Sequence, residues 1–396
     1  MSSKLSARVQ AVRPSPTLAI TVRAQALRAA GKDVLGLGAG ESDFDTPDHI
    51  KEAAIAAIRD GFTKYTAVDG TPELKQAIIA KFQRDNGFEY TPDRILVSCG
   101  GKHGFYNLAQ AILDPGDEVV IPIPYWVSYP DMVILAGGAP VLVHAGIEQA
   151  FKITPDQLRA AMTKQTRLVV INSPSNPSGM SYTREELATF GEVLREYPRA
   201  FIATDDIYEH IRWTSEPFVN ILHPCPDLAP RTLVINGVSK TYAMTGWRIG
   251  YVGGSPEVIK AMKKVQSQST SNPTSISQVA AQAALEGPQD CIRTMTETFK
   301  ERHDYMVERL NRLPGVECLP TNGTFYVFPR LRGMIAALDQ VSNDLELAEF
   351  LIEQAGVALV PGSAFGLADH ARISITNSRE NLEQALDRIE GVLRVS

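Results

Sequence analysis

Short, almost continuously apolar segments, each followed by polar residues, recur through the first three quarters of this chain. Residues 95–98, 118–121, 168–171, 201–204 and 233–235 have this character, and helical signals stand between several of them. Strands that are apolar on both faces are typical of a parallel sheet, because its connections cover both faces with helices. The alternation therefore predicts an α/β fold with a mainly parallel sheet covered by helices.

The pattern changes after about residue 280, where a compact α+β unit is predicted. Its elements are a helix at 289–311, a β-prone segment at 324–328, a helix at 344–354, strands at 357–360 and 372–375, and a final helix. A chain of 396 residues exceeds one ordinary domain. We therefore expect a large domain over residues 47–300 and a smaller domain built from residues 1–46 and 301–396.

Composition and charge argue against several classes of protein. The net charge is −6 without a long basic block, which argues against nucleic acid as the main partner. No apolar run approaches the ~18 residues of a membrane span, and the first residues lack the apolar core of a signal peptide. Cys99, Cys225, Cys291 and Cys318 are too far apart for a zinc motif and predict free, buried thiols. We expect a soluble, cytoplasmic protein without a metal site.

Residues with useful chemistry fall at the ends of the predicted strands. They are Gly100-Gly101, Trp126, Asn176, Asp205, Tyr208, Lys240 and Arg248. Ligands of open α/β sheets bind at the carboxyl ends of the strands, so these residues are predicted to meet at one edge of the sheet. Each has a structural alternative, such as a core ring for Trp126 or a helix cap for Asp205. One binding site explains all of them together.

Lys240 stands in a small polar segment between two apolar ones, within residues 234–252. Lysine is seldom buried, and burial lowers its pKa towards the range that a nucleophilic amine requires. The structural alternative is a loop lysine whose ammonium group lies in water. The apolar segments on both sides favour the buried amine.

The Gly100-Gly101 turn lies between a strand and a predicted helix over residues 105–113. Such a turn can bind a phosphate on backbone N–H groups, although a purely structural turn has the same sequence pattern. The pattern Gly-x-x-x-x-Gly-Lys-[Ser/Thr] is absent, and the alternating glycines 36, 38 and 40 do not form the dinucleotide fingerprint. Nucleotide and dinucleotide sites are therefore not predicted.

An aspartate after one strand and a lysine after a later one suit a cofactor with a basic ring nitrogen and an aldehyde. Pyridoxal phosphate is such a cofactor, and it needs an amine, an acid for its ring nitrogen, and cations with N–H groups for its phosphate. Lys240, Asp205, the Gly100-Gly101 turn and Arg248 supply these groups. The residues therefore predict pyridoxal 5'-phosphate as the cofactor.

Several motifs resemble those of class I aminotransferases, which are pyridoxal-phosphate enzymes of fold type I, and they occur in the same order. They are Ala39-Gly-Glu-Ser-Asp-Phe-Asp-Thr-Pro47, Lys64-Tyr65-Thr66, Pro124-Tyr-Trp-Val-Ser-Tyr129, Asn172-Ser-Pro-Ser-Asn-Pro-Ser-Gly179, Thr204-Asp-Asp-Ile-Tyr208 and Ser239-Lys240-Thr-Tyr-Ala-Met-Thr-Gly-Trp-Arg248-Ile-Gly-Tyr251. The resemblance runs from about residue 15 to the C-terminus and is greatest to bacterial aspartate aminotransferases of the Iβ subgroup. It implies a seven-stranded-type sheet in the large domain and a homodimer with active sites shared across the interface.

The resemblance also implies a role for each matched residue. Lys240 would bind the cofactor covalently and move the proton at the substrate α-carbon, Asp205 would pair with the ring nitrogen, and Tyr208 would bind the phenolic oxygen. The other implied contacts are Trp126 and Asn176 with ring and substrate, Gly101, Lys102 and Arg248 with the phosphate, Tyr65 with the phosphate of the partner subunit, and Arg372, Gly40 and Lys102 with the substrate.

The implied reaction is a ping-pong transfer of the amino group of L-aspartate to 2-oxoglutarate, giving oxaloacetate and L-glutamate. Some positions depart from the family pattern. Gly237 stands where many relatives have a phosphate-binding serine, residues 271–278 contain no arginine for a distal carboxylate, and Ile375 stands at a usual tyrosine position. Lys102 is then expected to contact the distal carboxylate, with Arg13 and Ser15 at the substrate entrance.

These departures leave alternatives open. Prephenate or aromatic amino acids are alternative substrates for the same reaction. A β- or γ-eliminating lyase or a synthase on the same fold is a second interpretation, which release of pyruvate and ammonia would favour. A non-catalytic effector domain of a transcription factor is a third, and it would need a DNA-binding domain before the short segment that precedes the matched region.

Overall fold

The structure is a computed structural model that describes residues 5–12, 14 and 16–395, so Arg13 and Ser15 lie outside the described residues. The strands are β1 Leu35–Gly36, β2 Ile95–Ser98, β3 Glu118–Ile123, β4 Ala139–His144, β5 Thr166–Asn172, β6 Phe201–Asp205, β7 Thr232–Gly237, β8 Gly250–Gly253, β9 Tyr326–Val327, β10 Val357–Ala358, β11 Val360–Pro361 and β12 Ala371–Ser374. The α-helices are α1 Ala7–Ala11, α2 Pro16–Ala29, α3 Asp48–Arg59, α4 Pro72–Asn86, α5 Gly101–Ile112, α6 Ser128–Leu135, α7 Pro155–Ala161, α8 Arg184–Arg195, α9 Pro256–Ser269, α10 Ser275–Glu286, α11 Asp290–Leu310, α12 Arg332–Ala336, α13 Asp344–Phe350 and α14 Arg379–Val395.

In the described part of the chain, the main sheet has seven strands in the order β2-β8-β7-β6-β5-β3-β4. Strands β4, β3, β5, β6 and β7 run parallel, whereas β8 is antiparallel to both β7 and β2. The predicted α/β class and the mainly parallel sheet are confirmed. Strand β4 was not predicted from the sequence; it lies at the edge of the sheet, where only Val143 of its six residues is buried.

Both faces of the main sheet are covered, as its apolar strands require. In β2, Ile95 and Val97 belong to one apolar core, and Leu96 between them belongs to the core on the opposite face. This alternation follows from the two-residue period of a strand. Each face of the sheet is therefore packed against its own apolar core.

A third apolar core lies around α11, α13 and α14. Residues such as Phe299, Phe325 and Leu386 are buried in it, and Leu37 and Tyr208 reach it from other parts of the chain. Strands β11, β12 and β9 form a small antiparallel sheet, and β1 pairs with β10 in parallel. The segment before α3 is thereby attached to the last part of the chain.

Helix ends follow local sequence chemistry, with a few departures from the predicted bounds. Thr183 caps α8 with a capping box that includes Glu186. Pro47 is the N-cap of α3 without a side-chain hydrogen bond, and the neighbouring Thr46 hydroxyl donates to the Ala243 carbonyl. The helix predicted for 344–354 is α13 followed by a π-helical turn at Leu351–Ala355.

The four cysteines are free, but only two match the predicted burial. Cys225 and Cys318 are buried, whereas Cys99 and Cys291 are half-buried. Cys99 is less enclosed because it stands in the turn between β2 and α5, where the main sheet ends. Among the described residues, no helix is long and apolar enough to cross a membrane.

Candidate active site

A cavity of about 440 Å³ opens where the parallel strands of the main sheet end. It is lined by ten of the eleven predicted site residues: Gly40, Gly101, Lys102, Trp126, Asn176, Asp205, Tyr208, Lys240, Arg248 and Arg372. The eleventh, Tyr65, does not line it, and its side chain is 91% exposed. The structure therefore brings the predicted residues together from positions spread over more than 300 residues of sequence, apart from one exposed tyrosine.

Lys240 lies at the centre of this cavity, three residues after β7 ends. Its ammonium group donates a hydrogen bond to the Gly40 carbonyl. Burial and, second, the positive charge of Arg372 lower the pKa of Lys240 to about 8. About a tenth of this amine is therefore a free base at pH 7, far more than of an ordinary lysine, and the free base is the form that a nucleophile or proton acceptor requires.

Asp205 is the last residue of β6, and its carboxyl group faces the same cavity. Burial raises its pKa above the usual value, and the hydrogen bond from the Tyr129 hydroxyl to its Oδ2, 2.5 Å long, opposes that shift. Among the described residues, none with a cationic side chain lies within ion-pair distance of Asp205. A protonated ring nitrogen beside this carboxyl group would supply the missing positive charge.

Tyr129 is a site residue that the sequence analysis did not single out. It lies in the first turn of α6, three residues after Trp126, and the two rings meet edge to face with their centroids 5.1 Å apart. The Tyr129 N–H donates to the Trp126 carbonyl at 3.0 Å, in a turn that precedes the helix. The hydrogen bond of Tyr129 with Asp205 could be recognised only from the fold, since the two residues are far apart in the sequence.

Gly101, at the N-terminus of α5, and Arg248 line the same part of the chain's candidate site. Helix α5 begins at Gly101, four residues earlier than predicted, and Gly100 caps it without a side chain. Gly100 has φ of +89°, and a Cβ there would overlap the Arg248 guanidinium. Arg248 donates to the Thr245 and Cys99 carbonyls at 2.9 and 3.0 Å. Free N–H groups of a helix N-terminus beside a fixed guanidinium suit a phosphate.

Arg372 reaches the cavity from β12 and is held on several sides. Its guanidinium carbon lies 4.3 Å from the ring centroid of Tyr326 and 5.0 Å from that of Phe365. Nη1 donates to Asn176 Oδ1 at 3.1 Å and Nη2 to the Gly38 carbonyl at 2.8 Å. Its Nε is buried without a partner among the described residues. A fixed guanidinium with unused donor capacity suits a carboxylate.

Tyr208 and Tyr326 both line the cavity, and their hydroxyl oxygens lie 3.2 Å apart, within hydrogen-bond distance. Burial raises the pKa of Tyr208 well above its usual value, so the phenol stays protonated and can donate. Tyr326 was not predicted as a site residue, since it stands in a β-prone segment more than 100 residues from Tyr208 in the sequence. Asn172, also not predicted, accepts from the Asn176 N–H at 2.8 Å and donates to the Asp205 carbonyl at 2.9 Å.

Lys102 lies in the first turn of α5 at the mouth of the cavity. Its ammonium nitrogen is 5.2 Å from the centroid of the Trp126 ring. Burial and the nearby charge of Arg248 lower the pKa of Lys102, so its surroundings disfavour the charged form. The cavity thus combines an amine, a buried carboxyl group and three cationic side chains.

Comparison with known proteins agrees with this chemistry. Residues 32–389 match the family model described as aminotransferase class I and II. The chain is 58% identical to an aspartate/prephenate aminotransferase of Nitrosomonas europaea, over 98% of this chain and all of that protein. It is 50% identical to an aspartate aminotransferase of Geobacillus stearothermophilus, over 98% of both chains.

Solved structures give the same result. An aspartate aminotransferase from Rhizobium meliloti superposes with a TM-score of 0.95 at 47% identity over 99% of both chains. The aspartate aminotransferase from Thermus thermophilus with maleate superposes with a TM-score of 0.93 at 42% identity, over 98% of this chain and 100% of that one. With the family model matched over most of its length, this chain belongs to the class I and II aminotransferases.

Proposed function

We propose that this aminotransferase uses pyridoxal 5'-phosphate to transfer the amino group of L-aspartate to 2-oxoglutarate. The observation that carries the proposal is the placement of Lys240, with a pKa of about 8, in one cavity with Asp205, Arg248 and Arg372. These four groups match the aldehyde, the ring nitrogen and the phosphate of the cofactor, and the carboxylate of an amino acid. The unpaired Nε of Arg372 and the unpaired charge of Asp205 support this fit.

The cofactor would be held by residues on both walls of the cavity. Lys240 would carry it covalently, Asp205 would pair with the ring nitrogen, and Tyr208 with Asn176 would bind its phenolic oxygen. Gly101, Lys102 and Arg248 would bind the phosphate, and Trp126 would lie on the ring face. When bound, pyridoxal phosphate supplies an electron-withdrawing ring that stabilises negative charge at the substrate α-carbon.

The protein's own contribution to the reaction would be orientation and proton transfer. Arg372 would bind the α-carboxylate with its planar guanidinium, close to the Gly40 backbone. Lys240 Nζ would then take the proton from the α-carbon of the amino donor and, in the second half-reaction, deliver a proton to the α-carbon of the new amino acid, which a base with a pKa near the working pH does well. Both half-reactions of the ping-pong cycle would use the same site.

Substrate choice depends on the group at the far end of the amino acid. Lys102 would attract a distal carboxylate there, and the related Thermus thermophilus enzyme was solved with maleate, a four-carbon dicarboxylate. Prephenate is the second candidate, because it also carries two carboxylates and the relative of 58% identity is named for both substrates. Aromatic amino acids lack the distal charge and are expected to react more slowly.

We also propose the assembly and the domain arrangement. Residues 47–300 would form the cofactor-binding domain, and residues 1–46 with 301–396 the smaller one, which the pairing of β1 with β10 and the third core support. The protein would be a cytoplasmic homodimer in which Tyr65 contacts the phosphate of the partner subunit. The exposure of this large side chain on a loop supports that contact.

The test is an amino-donor panel read by absorption. Aspartate added to the cofactor-loaded protein is expected to change the visible absorption of the bound cofactor, and Lys240→Ala is expected to abolish multiple turnover. Values of kcat/KM for aspartate, glutamate, phenylalanine and arogenate then rank the donors. Absence of any spectral change with every donor would refute the aminotransferase proposal, and equal values for phenylalanine and aspartate would refute the aspartate preference.

A further inference from the structure

A buried polar cluster lies behind the active-site cavity and does not line it. It consists of Lys81 and Asn86 on α4, Glu209 after β6, and Asn236 on β7. Lys81 is 1% exposed, Asn236 2%, Glu209 5% and Asn86 6%. None of these residues was singled out from the sequence, and the proposed mechanism does not use them.

Glu209 is the acceptor at the centre of this cluster. Its Oε1 accepts from the Lys81 ammonium group and from Asn236 Nδ2, the latter at 2.7 Å, and its Oε2 accepts from Asn86 Nδ2 at 2.8 Å. Lys81 also donates to Asn86 Oδ1 at 2.7 Å. Burial disfavours the Glu209 carboxylate, but the nearby charges of Lys81 and His210 outweigh burial and keep its pKa below the usual value.

The cluster connects the two segments that carry Tyr208 and Lys240. Backbone pairing between β6 and β7 ends at Asp205 and Ile235, and one more bond joins the Asp206 N–H to the Ile235 carbonyl. Beyond that point β6 has ended, whereas β7 continues to Gly237 beside β8. Glu209 follows Tyr208 directly, and Asn236 precedes Lys240 by four residues, so their hydrogen bond joins the loop after β6 to the end of β7.

An ion pair at this depth is not explained by stability alone. Removing two charges from water is costly, and a buried ion pair often stabilises a fold no more than apolar residues of the same volume would. The ion pair fixes the orientation of the Glu209 side chain, because the carboxylate must face both α4 and Asn236 to accept hydrogen bonds from all of its donors. The same contacts restrain the chain next to Tyr208 and four residues before Lys240.

We propose that Glu209 is a positioning residue, which fixes Tyr208 and Lys240 relative to each other through its bridge to Asn236 and its anchor on Lys81. The inference rests on the proposed function, in which both of these residues act on the cofactor. Glu209 itself touches neither cofactor nor substrate. Its effect is geometric, and displacement of reacting groups by about 1 Å can reduce a rate by about 10²-fold.

Two double variants of the full-length, cofactor-loaded protein separate this role from stability. Lys81→Met/Glu209→Gln removes the charges but keeps an oxygen that accepts from Asn236 Nδ2. The amide N–H of the new glutamine can donate to Asn86 Oδ1, which loses Lys81 as its donor. Lys81→Met/Glu209→Met removes the charges and the bridge. The other titratable groups of this region, Asp85, Asp206 and His210, are unchanged in both variants. The matched control is Lys75→Met, which removes a buried lysine of the same helix and leaves Asp69 paired with Lys263.

The readouts are the melting temperature, kcat and KM for the amino donor, and the pH midpoint of the visible absorption of the bound cofactor. The Met/Met variant is expected to lose about 10–100-fold in kcat and to shift the absorption midpoint. The Met/Gln variant and Lys75→Met are expected to remain close to wild type in kcat and in the absorption midpoint. A change in folding stability alone would alter the melting temperature without moving the absorption midpoint.

Wild-type kcat and absorption in a folded Met/Met variant would overturn the inference, as would equal losses in both double variants. If the Met/Met variant does not fold, Asn236→Ala tests the same bridge with the ion pair intact, and wild-type kcat there would overturn the inference. A wild-type protein that reacts with no amino donor would refute the proposed function instead, so the two failures are distinguishable.

Discussion

Lys240 is the residue at which function opposes stability. With a folded-state pKa of about 8 against 10.5 for an ordinary lysine, its proton is bound less tightly in the folded protein than in the unfolded chain. Between these two values only the unfolded chain holds the proton, so the contribution of Lys240 to stability rises with pH across this interval. Below pH 8 the full cost of burying the charge is present.

We therefore expect Lys240→Met to stabilise the cofactor-free protein by about 1–3 kcal/mol at pH 7, with a smaller gain as pH approaches 10. Urea unfolding of both proteins at pH 7 and pH 9.5 measures the difference. Lys75→Met serves as the control and is expected to lose stability at pH 7, because Lys75 is paired with Asp69. An equal gain at both pH values would contradict the explanation.

Tyr129 is expected to keep Asp205 ionised for its partner. Tyr129→Phe removes the donor to Asp205 Oδ2, which lets burial raise the pKa of that carboxyl group further. A hydrogen bond to a charged group contributes about 1.5–3 kcal/mol, so affinity for pyridoxal phosphate should fall by roughly 10–100-fold. Equilibrium dialysis measures that affinity.

The matched control for this prediction is Tyr182→Phe. Tyr182 is also buried, and its hydroxyl accepts from the Ile153 N–H at 3.2 Å, away from the predicted site residues. It should lose some stability and keep cofactor affinity. Unchanged affinity in Tyr129→Phe would show that the Asp205 contact does not matter for binding.

At the scale of elements, the turn between β2 and α5 decides whether an anion can bind. Gly100 combines φ of +89° with a close approach to the Arg248 guanidinium. An alanine there is strained by its backbone and also displaces the guanidinium. We expect Gly100→Ala to weaken the binding of inorganic phosphate and of pyridoxal phosphate by at least about tenfold, as loss of one charge-assisted hydrogen bond would.

Gly116→Ala is the control for Gly100→Ala. Gly116 has φ of +98°, but no atom lies within 4 Å of its added Cβ. It should show the backbone strain as a lower melting temperature, with normal anion affinity. Similar affinity losses in both variants would assign the effect to strain and not to the displaced arginine.

At the scale of the whole molecule, the exposed Tyr65 allows a test of shared active sites. In a hybrid dimer of one Tyr65→Ala subunit and one Lys240→Ala subunit, one site has an intact Lys240 and receives Tyr65 from the other subunit. If Tyr65 acts across the interface, this hybrid should recover about half of the wild-type activity, because one of two sites is complete. Differentially tagged subunits allow the hybrid to be purified.

Neither parent homodimer can form a complete site in this experiment, so each provides a baseline. Activity of the hybrid no higher than half that of the Tyr65→Ala homodimer would show that Tyr65 acts within its own subunit. A chain that sediments as a monomer at micromolar concentration would contradict the proposed assembly altogether.

The sequence by itself determined the fold class and most of the site. Apolar runs such as residues 168–171, alternating with helical segments, are typical of a sheet with helices on both faces. Since parallel strands end at the same edge, the polar residues that follow them were predicted to meet, and the structure places Asp205 and Lys240 in one cavity. Local sequence patterns are enough to predict a site residue when that residue directly follows a strand.

Only the tertiary structure decided the contacts between distant segments. Three such contacts join residues whose local sequences are ordinary for a strand, a helix or a loop. They are the contacts of Tyr326 with Arg372, of Tyr129 with Asp205, and of Glu209 with Asn236. The same holds for the pKa of Lys240, which depends on burial and on an arginine 132 residues away. Burial and distance are properties of the folded chain, so no local pattern encodes them.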